Sequence, residues 1–199
     1  RAKVFFKPNE LKDLIEFLKI LNNQERVHII GAGSNTLITD EVFDGIIIKL
    51  GKNFNRLSIL EPDMVISGAA VSDKKLAEFT AENNLSGFEF LSCIPGTIGG
   101  GIKMNAGCFG NEIKDILISV QTIDYLGNIS TIPSTNINFD YRTNDLSDDL
   151  IFLSASFKGK RKDAQIITKT MKEFKEKKES NQPTKIKTSG STFKNPIKQ

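Results

Sequence analysis

The chain has 199 residues, with 27 basic and 24 acidic side chains and a formal net charge of +3, so it can form one large domain or two small lobes. The basic residues are dispersed as far as residue 158, which argues against a nucleic-acid-binding patch, and no apolar run approaches the roughly 20 residues of a membrane span. No signal-like segment opens the chain, and two cysteines and one histidine lack metal-ligand spacing, so we expect a cytoplasmic protein without a metal site.

Residues 1–50 predict an α/β lobe. A strand at 3–7 precedes a helix that Asn9 can cap and that runs to about Asn23, and two further strands follow at 27–30 and 45–50. Strands that alternate with a helix are typical of a layered α/β unit.

Residues 51–160 predict a second lobe of mixed α+β character. Its elements are a hairpin of strands 56–60 and 64–69 around the turn at 61–63, a helix from the cap Ser72 to about Asn84, strands at 116–124 and 128–132, and a strand at 150–157. Residues 161–199 then begin with a helix that Asp163 opens, which continues to about Lys178 and has Ile166, Ile167, Met171 and Phe174 on one face.

The segment 95–110 has six glycines, one proline and no acidic residue, which predicts neither an ordinary helix nor an ordinary strand. A shorter run, Gly31–Asn35, follows the apolar strand at 27–30. Both loops offer unobstructed amides and small polar side chains, and two such loops in one chain suggest a dinucleotide held from both sides. The alternative is that both are tight turns without a ligand.

Two common phosphate-binding motifs do not fit these loops. Neither run ends in the Gly-Lys-Ser/Thr of a Walker-type NTPase. The run at 31–36 has the first two glycines of the Rossmann fingerprint, but Thr36 stands at the third position and no crossover-helix pattern follows.

Four motifs occur in a fixed order: GAGSN at 31–35, IPGTIGG at 94–100 with MNAG at 104–107, Tyr141-Arg142, and GSTFKNP at 190–196. In this order they resemble the UDP-N-acetylenolpyruvoylglucosamine reductase family of bacterial peptidoglycan synthesis, over essentially the whole chain. The resemblance implies the two-lobed FAD-binding fold of the vanillyl-alcohol oxidase type, an α+β fold, with lobes at 1–50 and 51–160 and a third, substrate-binding domain that begins within 161–199. The short path from Tyr141 to Lys158 looks like the family's compact subclass, which lacks an inserted loop.

The resemblance also implies a monomeric bacterial cytoplasmic enzyme that binds FAD non-covalently. It would use NADPH as co-substrate and a UDP-sugar enolpyruvate as substrate, with neither nucleic acid nor membrane as a partner. Arg142 would stabilise the developing enolate and Ser191 would donate the proton. Substrate contacts are expected from Tyr141, Lys194 and Asn195. Cofactor contacts are expected from Gly31, Ala32, Gly33, Ser34, Asn35, Thr36, Pro95, Gly96, Thr97, Gly99, Gly100, Asn105 and Gly107.

Each catalytic assignment has a plainer alternative. Arg142 could be a surface arginine paired with Asp140 or Asp145, Ser191 a turn residue and Tyr141 a core ring. The chain departs from the family pattern at Asn144 and at the Gly-Cys-Phe-Gly run 107–110, and no residue can be assigned to the family's C-terminal catalytic glutamate. We therefore expect a chain truncated at both ends that is poorly active or inactive as an enzyme. Two other functions stay open: a flavoprotein of the same fold with another substrate, and a flavin-binding module without turnover.

Overall fold

The computed structural model describes residues 1–182. Its longer strands form two sheets, and four α-helices pack around them. The elements of the first 61 residues are β1 (Ala2–Phe6), α1 (Leu11–Leu21), β2 (Val27–Ile29), β3 (Phe43–Ile48) and β4 (Leu57–Glu61). Those that follow up to residue 112 are β5 (Met64–Gly68), α2 (Asp73–Glu82), β6 (Leu85–Ser86), α3 (Ile98–Lys103), β7 (Gly107–Cys108) and β8 (Asn111–Glu112). The remaining ones are β9 (Leu117–Ile123), β10 (Ile129–Pro133), β11 (Phe139–Asp140), β12 (Thr143–Asn144), β13 (Ile151–Lys158), β14 (Lys160–Arg161) and α4 (Ala164–Asn181).

The first sheet is a three-stranded parallel sheet in the order β1-β3-β2, and its strands lie close to the predicted positions. Helix α1 begins at Leu11, one residue later than a cap at Asn9 would place its start. Its N-cap is Glu10 rather than Asn9, and the Glu10 amide donates to Asp13 Oδ2 at 3.1 Å. The Asp13 carboxylate therefore satisfies an amide at the start of the helix, which is the kind of group that an asparagine cap would otherwise satisfy.

The second sheet has five antiparallel strands in the order β10-β9-β13-β5-β4. The hairpin β4-β5 is confirmed around the Glu61-Pro62-Asp63 turn, and the strand pair β9-β10 is confirmed on either side of Gly127, whose φ is +90°. The predicted strand at 150–157 is the central strand β13, which pairs with both β5 and β9. Five of its eight residues are apolar and buried, because the clusters on both faces of the sheet take side chains from this central strand.

Helix α1 joins the two sheets through one apolar cluster. Leu14 and Leu18 are fully buried, and they share this cluster with Ile46 and Ile48 of the parallel sheet. From the antiparallel sheet the same cluster takes Ile123, Ile151 and Leu153. The opposite face of the antiparallel sheet packs against α2 and α3 in a second, larger cluster.

Part of the glycine-rich segment is a helix, so the expectation that it excludes regular structure is wrong. Residues Ile98–Lys103 form α3 although three of the six are glycine. A Cβ on Gly99 would lie 3.2 Å from the Ala69 Cβ, and one on Gly101 would lie 2.6 Å from Ile113 Cδ1. Tertiary packing therefore requires a backbone without side chains here, and it outweighs the low helix propensity of glycine.

Helix α4 packs against the larger apolar cluster, the one that also contains residues of α2 and α3. The Asp163 carboxylate caps it by accepting from the Gln165 amide at 2.8 Å, as predicted, and the helix continues to Asn181. Ile167 is buried, and the Phe174 ring stacks on Phe109 with centroids 4.8 Å apart. Ile166 was expected on the buried face but is 50% exposed. The lobe boundaries at residues 50 and 160 stay a prediction.

Candidate functional site

The two glycine-containing loops meet in the fold. The Ser34 hydroxyl donates a hydrogen bond to the Pro95 carbonyl, across 61 residues of chain. Gly31 lies directly against Thr97, because a Cβ built on Gly31 would be 2.4 Å from Thr97 Oγ1. The structure thus brings together the two loops that the sequence predicted to hold one ligand, and the contact explains why Gly31 has no side chain.

Several groups at this junction are suited to an anion. The amides of Gly31, Ala32 and Gly33 make no hydrogen bond to another group of residues 1–182. Gly33 has φ +77°, so its backbone adopts the left-handed conformation that glycine tolerates. Neither loop contains an acidic residue, and Asn35, Thr36 and Gly100 are exposed. Free amides in loops that carry no acidic side chain of their own favour a diphosphate.

One carboxyl group lies beneath the second loop, and nothing in its sequence context distinguishes it. Asp73 follows the helix cap Ser72 and would ordinarily be an exposed first-turn acid. Instead it is fully buried, and neither carboxyl oxygen has a hydrogen-bond partner within residues 1–182. Burial raises the pKa of Asp73 to about 7. Only the packing of α2 under the loop could reveal this group.

Arg142 is fixed by the backbone that follows α3. It occupies the tight turn between β11 and β12 with φ +59°, in the left-handed region. Its Nη1 donates to the Asn105 carbonyl at 3.2 Å and its Nη2 to the Gly107 carbonyl at 2.7 Å. The guanidinium also lies 4.9 Å from the centroid of the Tyr141 ring. Because a guanidinium has five N–H groups, donors remain for a carboxylate ligand.

The plainer alternatives for this pair do not match the geometry. Within residues 1–182 Arg142 forms no ion pair with Asp140 or Asp145. Tyr141 is 38% exposed, so it is not a core ring.

Asn105 and Gly107, both expected at the cofactor, hold the loop itself. The fully buried Asn105 side chain donates to Glu112 Oε2 at 3.0 Å and to the Asp140 carbonyl at 3.1 Å, and accepts from the Lys114 amide at 3.2 Å. A Cβ on Gly107 would lie 2.3 Å from the Asn111 carbonyl oxygen, so the β7-β8 pair requires glycine. The structure assigns these side-chain positions to loop architecture, and their contact with a cofactor stays a prediction.

The departure at Asn144 also has a structural role. Its amide Nδ2 donates to the carbonyls of Ile102 and Lys103 at 2.9 and 3.0 Å, at the C-terminal end of α3. These are carbonyls that a helix leaves without an intrahelical partner. Asn144 thereby ties the strand that follows Arg142 to the glycine-rich helix.

Three predicted residues, Ser191, Lys194 and Asn195, lie outside the described residues. Within residues 1–182 no group of three or more metal-ligating side chains comes together, and none of the helices there is long and apolar enough to cross a membrane. Cys93 and Cys108 are free, and burial raises the pKa of Cys108 to about 11, so it is a thiol at neutral pH. This protonation state makes Cys108 a poor nucleophile.

The chain is similar to known proteins along its whole length. A UDP-N-acetylenolpyruvoylglucosamine reductase of Pelagibacter ubique (strain HTCC1062) is 60% identical over 199 residues, which are all of this chain and 66% of the relative. The protein of the same name from Rickettsia typhi (strain ATCC VR-144 / Wilmington) is 44% identical over 196 residues, 98% of this chain and 66% of the relative. The chain thus spans about two thirds of the length of these curated relatives.

Solved structures show the same likeness. The crystal structure of UDP-N-acetylenolpyruvylglucosamine reductase (MurB) from Thermus caldophilus matches with a TM-score of 0.85 and 28% identity, over 96% of this chain and 68% of that one. The Cu,Mo-CO dehydrogenase matches in fold alone, with a TM-score of 0.58 and 14% identity over 81% of this chain and 61% of that one.

These similarities confirm the resemblance that the ordered motifs indicated and the two-lobed FAD-binding fold that it implied. The FAD binding domain family matches residues 2–132, a stretch that contains both glycine-rich loops and most of the antiparallel sheet. Because this match covers more than half of the 199 residues, the chain belongs to the FAD binding domain family.

Proposed function

We propose that the protein is an NADPH-dependent FAD reductase that acts on the enolpyruvyl group of UDP-N-acetylglucosamine enolpyruvate. The observation that carries the proposal is the Arg142 guanidinium, held by two backbone carbonyls of the segment that follows the predicted flavin loop. The curated relatives that share 60% and 44% identity with the chain bear the name of this reductase, which supports the same substrate.

The residues at the loop junction fit FAD. The Gly31–Gly33 amides have no partner among residues 1–182, and Gly31 and Gly96 leave no room for a Cβ. Ser34 and Thr97 link the loops, so the amides are held in place before a ligand binds. Preorganised amides lose little conformational entropy when they bind a diphosphate. Bound FAD would supply hydride transfer from NADPH to the methylene carbon of the enolpyruvyl group.

Arg142 is suited to stabilise the charge that such a transfer creates. Hydride addition to the methylene carbon places negative charge on the neighbouring carbon and, by delocalisation, on the carboxylate oxygens. A guanidinium whose orientation is already set by Asn105 and Gly107 binds this doubly charged enolate more strongly than the singly charged carboxylate of the substrate. The Tyr141 ring beside it holds the guanidinium plane and shields one face from water.

The remaining assignments rest on the family resemblance. Ser191 would donate the proton to the carbon next to the carboxylate, and Lys194 and Asn195 would position the substrate's anionic groups. A serine hydroxyl can protonate carbon when the carbanion-like intermediate is reactive and the hydroxyl is within hydrogen-bond reach.

Two measurements test the proposal. The purified chain is first titrated with FAD and then reduced with NADPH without oxygen, and bleaching of the flavin absorbance shows the reductive half of the reaction. Substrate is then added to the reduced protein, and slow re-oxidation of the flavin with formation of UDP-N-acetylmuramate is expected in the wild type but not in Arg142→Ala. Lys52→Ala, an exposed cation elsewhere on the chain, serves as control.

The outcomes separate the alternatives. Flavin that bleaches with NADPH but is not re-oxidised by the substrate would indicate a flavoprotein with another substrate. Flavin that binds but does not bleach would indicate a binding module without turnover.

A further inference from the structure

The Asp73 carboxyl group contacts the inner side of the predicted diphosphate loop. A Cβ on Gly96 would lie 2.6 Å from Asp73 Oδ2, and one on Gly101 would lie 3.2 Å from Asp73 Oδ1. The Asp73 amide also donates to the Gly96 carbonyl at 3.3 Å. The carboxyl group thus lies between the two ends of the segment 96–101, and Ser34 Oγ would lie 3.8 Å from the same Gly96 Cβ.

Among residues 1–182 no charged group compensates this carboxylate. On its own helix, Lys74 pairs with Glu78 at the surface and Lys75 is exposed. Of the elements packed against it, α3 carries Lys103, which pairs with Asp148, and the turn after β8 carries Lys114, which pairs with Glu112. The loops 31–35 and 95–97 contain no titratable side chain.

Burial alone sets the ionisation of this group. It raises the pKa of Asp73 to about 7, and no charge in the described part of the chain contributes to the shift. The first turn of α2 favours the anion through the helix dipole, but a dipole effect of at most ~2 kcal/mol does not offset desolvation of a fully buried carboxylate. The group therefore changes its charge near neutral pH.

We propose that Asp73 couples FAD binding to proton uptake: the carboxyl group is neutral when the diphosphate occupies the loop, and its ionisation weakens flavin binding. This proposal rests on FAD binding at the two loops. The proton comes from the buffer and is held on one Asp73 oxygen. A diphosphate brings further negative charge to the same loop, so binding raises the proton affinity of Asp73, and by linkage ionised Asp73 lowers the affinity for FAD.

The proposal specifies a pH profile. Below pH 7 the Kd for FAD is independent of this group, because Asp73 is already neutral. Above pH 7 the Kd rises by up to about tenfold per pH unit until Asp73 of the bound state ionises as well. Asp73→Asn keeps the shape of the carboxylic acid and cannot ionise, so its Kd stays level over the same range.

The experiment is a titration of the flavin-free chain with FAD at pH values between 5.5 and 9. Binding is measured as quenching of the flavin fluorescence. The wild type, Asp73→Asn and Glu78→Gln are compared, since Glu78→Gln removes the same charge from an exposed position on the same helix. We expect the wild type and Glu78→Gln to lose affinity above pH 7, and Asp73→Asn to bind about tenfold more tightly than the wild type at pH 8. Calorimetry of the wild type at pH 8, in two buffers of different ionisation enthalpy, gives the proton uptake without any substitution.

Each outcome decides the question. Equal pH dependence in the wild type and Asp73→Asn, or no proton uptake at pH 8, would overturn the role of Asp73 while FAD binding itself stands. No FAD binding at any pH would overturn both this inference and the proposed function.

Discussion

Two adjacent glycines of α3 are predicted to respond to alanine in opposite ways. Gly100 is exposed, and a Cβ there would meet only Thr97 Oγ1, at an ordinary contact distance of 3.6 Å. Alanine should therefore stabilise the flavin-free protein by about 1 kcal/mol, the difference in helix propensity between the two residues. At Gly101 the added Cβ would lie 2.6 Å from Ile113 Cδ1, in a fully buried part of the core. Overpacking of this kind costs ~1–3 kcal/mol, which exceeds the propensity gain.

Flavin affinity separates the two positions further. If the exposed side of Gly100 faces the diphosphate, a methyl group there pushes the phosphate away from the loop amides. Loss of one charge-assisted hydrogen bond, about 1.5–3 kcal/mol, weakens FAD binding roughly ten- to a hundredfold. Gly100→Ala should thus raise stability and lower affinity, whereas Gly101→Ala lowers both.

Urea denaturation of the flavin-free proteins and fluorescence titration with FAD measure the two quantities independently. A Gly100→Ala protein that is less stable than the wild type would refute the packing argument. If Gly100→Ala binds FAD as tightly as the wild type, Gly100 does not line the diphosphate site.

Three further predictions use the same two assays and the reductive titration. Ser72→Ala removes the hydroxyl that accepts from the Lys75 amide at 3.2 Å, so urea denaturation should show a loss of about 1 kcal/mol, and an unchanged midpoint would contradict the capping role. Because burial raises the pKa of Asp73 from 3.8 to about 7, the wild type keeps the full stability from this group below pH 3.8 and loses it as the pH rises to 7. At 1.36 kcal/mol per pH unit, the free energy of unfolding falls by about 4 kcal/mol over this range, and Asp73→Asn should not show this fall. Parallel curves of stability against pH for the two proteins would disprove the prediction. Arg142→Lys keeps the charge but not the planar fork, so NADPH should still bleach the flavin while re-oxidation by substrate slows ~100-fold; an unchanged rate would exclude Arg142 from enolate stabilisation.

Local signals in the sequence predicted much of the fold correctly. Some of these signals depend on contacts between residues that are close in the chain, as in the proline turn at 61–63 and the Ser72 cap. Another is the largely apolar run at 150–157, which forms a buried strand. Such signals can be recognised without the tertiary structure. The ordered motifs added the family and its FAD-binding fold, because glycine positions that approach a ligand or a neighbouring backbone tolerate few other residues.

Only the tertiary structure decided what individual side chains do within that frame. Asp73 has the sequence context of an exposed helix-start acid, and its burial results from the loop 96–101 that closes over it. Asn105 is typical of a ligand contact by residue type, yet its amide is occupied by three partners, one of which lies 35 residues away in the chain. The glycines of α3 form a helix because Ala69 and Ile113 pack where side chains would lie. Burial and long-range contacts depend on which segments meet in space, so the protonation of Asp73 and the orientation of Arg142 follow from the fold rather than from local sequence.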